Sequence, residues 1–95
     1  MAMTTFEKQA FKRGIADEAA STELQAILTS GTAASVQTLT KIALKNAVAD
    51  DVAYATILAA FQTGSALDDR AKAACRRLMG SDPNDSLVTE LGAVA

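Results

Sequence analysis

Between Asp51 and Asp68 the chain carries no charged residue, and this stretch constrains the fold more than any other. Read at about 100° per residue, Tyr54, Ile57, Leu58 and Phe61 recur at i, i+3, i+4 and i+7, the spacing of one helix face. The other side, Val52, Ala53, Ala55, Thr56, Ala59 and Ala60, is all small. A helix that is apolar all round is expected to be buried, because no face of it asks for water. The spacing therefore predicts a central helix over about 51–63, with the remaining helices arranged around it.

Composition says what kind of core such a helix can join. Of 95 residues, 21 are alanine and four are aromatic. The core must then come from helices that approach closely more than from large side chains, and each alanine removes little apolar surface from water. The length suits one domain over 1–95 with a single core. Hydrophobic residues make up 49% and charged residues 21%, which places the chain among globular rather than disordered proteins.

The remaining elements follow from helix punctuation. Thr4 and Glu7 form a capping-box pattern that starts helix one; Phe6, Ala10, Phe11 and Ile15 form its apolar side, and Gly14 is placed to end it in a left-handed conformation. Asp17 or Ser21 caps helix two, whose Ala20, Leu24, Ile27 and Leu28 face inward before Thr29-Ser30-Gly31 stops it. Thr32 is expected to cap helix three, with Val36, Leu39, Ile42, Ala43 and Ala47 inward and Leu44 more lateral. A tight corner at Ala49-Asp50-Asp51 leads into helix four, which Gly64 ends. Ser65 then opens helix five, with Leu67, Ala71, Ala74, Cys75 and Leu78 as a clean stripe. Asp82-Pro83-Asn84-Asp85 reads as the start of a short helix six carrying Leu87, Val88 and Leu91. No stretch alternates in the manner of a strand. The class is all-α: a single compact bundle of five to six short helices around a buried helix at about 51–63. Ser30-Gly31-Thr32 and Thr63-Gly64-Ser65 lie 33 residues apart, but their flanks differ and both read as helix punctuation rather than as a repeat.

The chemistry-bearing residues narrow the function. The chain has no histidine, which removes the commonest general base and imidazole metal ligation. Cys75 is the single cysteine, so no intramolecular disulfide forms, and its place on an apolar stripe reads as a buried, quiet thiol. Asp50-Asp51 and Asp68-Asp69 each lie where negative charge complements a helix start, and no patterned calcium loop is present. The glycine junctions lack the lysine of a phosphate-binding loop. No catalytic residue, cofactor, metal or small-molecule substrate is expected.

A net charge of −2 provides no field that would draw the chain to nucleic acid or to an anionic membrane. The absence of a basic leader followed by an apolar segment, and of any long apolar run, leads to the expectation of a soluble cytoplasmic protein or a component of a virion. The function expected is non-enzymatic: a small protein acting through protein-protein contacts as an assembly subunit, adaptor or inhibitor, with a protein partner or itself as a homo-oligomer. The candidate contact is the small face of helix four, Val52, Thr56, Ala59, Ala60 and Thr63. The ends of the chain are a second candidate, since Gly92-Ala93-Val94-Ala95 would fray unless held. A polar contact face is offered by Arg70, Lys72, Arg76 and Arg77 on helix five. The alternative is a small nucleic-acid-binding regulator, because Ile42 to Tyr54 has a spacing that resembles a helix-turn-helix. Against it, the second helix of that pair starts with two aspartates and has no side chain that reads base edges.

Overall fold

Thr4, Asp17, Asp50 and Asp68 are the N-caps of four helices; Thr4 is the expected cap and Asp17 one of the two expected for helix two, whereas Asp50 and Asp68 are expected only as acids that complement a helix start. The computed structural model describes residues 4–80 and 85–95, and among these it holds six helices and no strand. They are α1 (Thr5–Gly14), α2 (Glu18–Ser30), α3 (Thr38–Val48), α4 (Asp51–Thr63), α5 (Asp69–Leu78) and α6 (Ser86–Gly92). Thr4 Oγ1 accepts from Glu7 N at 3.1 Å, Asp17 Oδ1 from Ala20 N at 2.9 Å, and Asp68 Oδ1 from Ala71 N at 2.8 Å. Asp50 Oδ1 accepts from both Val52 N and Ala53 N. Each bond satisfies an amide that a helix start would otherwise leave without a partner.

α4 is the hub, packing against α2, α3, α5 and α6. Its Ala53, Ile57, Ala60 and Phe61 are fully buried in one core shared with Phe11, Leu24, Leu28, Leu44, Cys75 and Leu91. Tyr54 and Leu58, on the bulky side of a helix expected to be buried all round, are only half-buried and pack against the edge of this core.

Several expectations are corrected by tertiary contacts. Thr32 and Ser65 do not open helices. Gly31 and Gly64 do close α2 and α4 in the left-handed conformation, but the chain then runs on without helix to Gln37 and Asp68 respectively. The first of these links is held by bonds that a helix could not make: Ala33 N donates to Ala95 O, Ala34 N to Phe61 O, and Val36 N to Gln62 Oε1 at 2.9 Å. Val36 is buried from this link and not from α3.

α3 itself is rotated from its expected orientation. Thr40, Leu44 and Val48 face the core, while Leu39 is 77% exposed and Ile42 51%. Its N-cap, Gln37, makes no side-chain bond. Glu23 of α2 takes over that role, its Oε1 accepting from Gln37 N at 2.8 Å and its Oε2 from Thr40 Oγ1 at 3.0 Å. The buried threonine is thereby satisfied, and a carboxylate is brought near the positive end of α3. Leu44, expected to lie to the side, has no exposure at all.

In α1, Phe6 points into solvent. Gly14 is not left-handed. It is the last residue of the helix, and a Cβ there would collide with the carbonyl oxygen of Leu78, so its role is to let the ends of α1 and α5 touch. Ser21 is buried inside α2, where its Oγ accepts from Gln25 Nε2, and Asp17 alone is the cap. The proposed start of helix six at Asp82-Pro83-Asn84 lies outside the described residues; the described helix begins at Ser86, after a left-handed Asp85.

The C-terminal segment is held by the chain itself. Ala95 N donates to Gly31 O at 3.0 Å, Val94 is buried, and Gly64 lies close enough that a Cβ on it would sit 3.0 Å from Val94 O. The fraying that would have argued for a partner at this end is prevented within the fold.

Candidate interaction surfaces

The uncharged run that builds the hub also leaves one side of it in water. Asp51, Val52, Ala55 and Thr63 are exposed, Val52 to 56%, and Thr56, Ala59 and Gln62 are half-buried. Of the five positions foreseen as a contact, Val52, Thr56, Ala59 and Thr63 line this side, whereas Ala60 has no exposure and belongs to the core. Thr63 Oγ1 bonds back to Ala59 O at 2.8 Å and to Ser65 Oγ at 2.7 Å, so its polar atom is already engaged and its methyl adds to the small surface. From Val52 to Thr63 the open side carries no charge.

The basic face of α5 is largely committed elsewhere. Arg70 Nε donates to Asp50 Oδ2 at 2.8 Å, tying α5 to the start of α4. Arg76 grips Asp85 with two bonds, 2.8 and 3.2 Å, and so braces the link into α6. Lys72 is half-buried and Arg77 is exposed. Asp50 thus serves two helices at once, and its carboxyl is held below the usual range first by the hydrogen bond from Arg70 and then by that from Ala53 N. The exposed side of α4 offers no cation to a phosphate, and the aspartate at its start is both capped against the helix and paired.

Cys75 lies beneath this face with no exposure, and burial pushes its thiol up to about 12. At neutral pH it stays protonated, which makes it a poor nucleophile. Glu90 of α6 is buried apart from 3% of its surface, and desolvation, with the negative Glu7 nearby, raises its carboxyl above the ordinary range. Among the described residues no cluster of three or more His, Cys, Asp or Glu could hold a metal ion, and no helix is long and apolar enough to cross a membrane.

A second surface was missed by sequence reasoning because α3 was placed with the wrong face outward. Leu39 and Ile42 stand beside a groove whose opposite wall is the α1–α2 junction at Ile15, Ala16 and Asp17. The groove continues along the start of α2, past Glu18 and Glu23. The signal that could have revealed it was Thr40, whose hydroxyl, once buried against Glu23, obliges Leu39 to face out.

Compared with protein-family models, with curated proteins and with solved structures, the chain matches none.

Proposed function

We propose that this protein is non-enzymatic and works through protein-protein contacts, as a subunit of an assembly, an adaptor or an inhibitor, with the open side of α4 as a contact. The observation that carries this reading is the uncharged surface from Val52 to Thr63 on the helix at the centre of the bundle. Twelve residues of helix span about 18 Å, and the buried centres of protein interfaces are depleted in charge. Small side chains at Ala55 and Ala59 let a partner backbone come close, and the half-buried Thr56 and Ala59 give the surface relief. The absence of histidine from the whole sequence supports a role without acid-base chemistry.

The test is light scattering combined with partner capture on the wild type and on Ala55→Arg and Ala59→Arg. Ala55 is exposed, so its arginine variant is expected to fold as the wild type does and to lose association. A wild type that is monomeric and captures no partner, or an association unchanged in both variants, would remove α4 from the contact. Unfolding of Ala59→Arg with Ala55→Arg unaffected would show that Ala59 serves the core.

A further inference from the structure

Among the described residues, the large apolar side chains left in water are Phe6, Leu39, Ile42 and Val52. Val52 belongs to α4. The other three divide between two surfaces of opposite charge. Leu39 and Ile42 flank the groove beside α3, whose charged lining is Asp17, Glu18 and Glu23 without a lysine or arginine. Phe6, 68% exposed, shares the outward side of α1 with Gln9 and Arg13 at i, i+3 and i+7 spacing; Lys12 is exposed three positions from Gln9, and Lys8 is exposed further round the helix. The acid of α1, Glu7, is half-buried.

We propose that the acidic groove beside α3 receives α1 of a second copy of this chain, with Phe6 covering Leu39 and Ile42 while Lys12 and Arg13 face the acidic lining. The lengths agree: α1 has 10 residues and α3 has 11, about 15 and 16 Å at 1.5 Å per residue. Charge complementarity sets the orientation and disfavours α1 against α1 or groove against groove. Because each copy carries both halves, two reciprocal contacts related by a two-fold axis close a dimer and leave neither half exposed. The inference rests on the reading that the chain acts through protein contacts, but it assigns self-association to α1 and α3 and leaves α4 free for another partner.

Sedimentation equilibrium from about 1 μM to 1 mM covers the affinities such a contact would have. The expected result is a dimer whose dissociation constant rises about tenfold or more in Phe6→Glu and in Leu39→Glu. Both sites are exposed, so helical content by circular dichroism should match the wild type. Lys12→Glu should weaken the dimer, and adding Glu18→Lys should restore part of the loss, which only a pairing of these two surfaces predicts. A monomer throughout the range, or a dimer indifferent to Phe6→Glu and Leu39→Glu, overturns the inference. A dimer broken by Ala55→Arg alone also overturns it, while leaving the protein-contact reading standing. A monomer that binds a basic amphipathic peptide through Leu39 overturns it too, by showing another protein to be the occupant.

Discussion

α3 and α5 are of nearly equal length, both pack on α4, and they divide their side chains between core and water by different rules. α5 buries Ala71, Ala74, Cys75 and Leu78 and turns Asp69, Arg70, Arg76 and Arg77 outward. α3 buries a threonine and exposes a leucine and an isoleucine. The difference lies in where orientation comes from. Five charged side chains within ten residues leave α5 one inexpensive orientation, since a charge taken into the core costs several kcal/mol. α3 has only Lys41 and Lys45, both on one flank, so several rotations place them in water. Glu23, reaching from α2 to Gln37 N and Thr40 Oγ1, selects among those rotations.

The orientation of α3 predicts unequal costs for its two leucines. Leu44→Ala is expected to cost about 2–5 kcal/mol, as for a fully buried leucine, whereas Leu39→Ala in dilute solution should stay within about 0.5 kcal/mol. Urea unfolding of the two variants checks this. Equal costs would mean that α3 does not face the way described.

The helix starts sharpen the contrast at a smaller scale. Thr40→Val removes the donor to Glu23 and buries a carboxylate oxygen with less satisfaction, an expected loss of about 1–3 kcal/mol. Asp68→Ala removes a local cap from α5 and should cost about 0.5–2 kcal/mol. Gln37→Ala, at a cap whose side chain makes no bond, should cost almost nothing. If Gln37→Ala proved as damaging as Asp68→Ala, α3 would have a local cap after all and Glu23 would lose its role.

The smallest effect concerns the ion pair that joins α5 to α4. The folded-state carboxyl of Asp50 is lowered, mainly by Arg70, so its contribution is present above the unfolded value of about 3.9 and is lost as pH falls through the lower folded value. The stability difference between wild type and Arg70→Ala should therefore be steady from pH 7 to about 5 and shrink below about pH 4. A difference that persists at pH 2 would show that Arg70 acts through packing rather than charge.

The sequence by itself determined the all-helical class, the cap at Thr4, the acidic helix starts at Asp50-Asp51 and Asp68-Asp69, the ends of α2 and α4 at Gly31 and Gly64, and the inward-facing Ala71, Ala74, Cys75 and Leu78 of α5. These depend on neighbours within about four positions, where side chain and backbone meet whatever the rest of the chain does. Only the tertiary structure decided that residues 32–37 leave helical geometry to bond Ala95, Phe61 and Gln62, that α3 turns Leu39 and Ile42 outward, and that Ala60 is core while Val52 is surface. The open side of α4 was legible as uncharged but not as open, because alanine is equally at home in either place. The acidic groove had no sequence signal beyond Thr40, since it is made by Asp17, Glu18 and Glu23 meeting residues from Gln37 to Ala47. Hydrophobic spacing encodes that a helix has an apolar stripe; which way the stripe faces is fixed by bonds from residues far away in sequence, and those bonds exist only once the helices have packed.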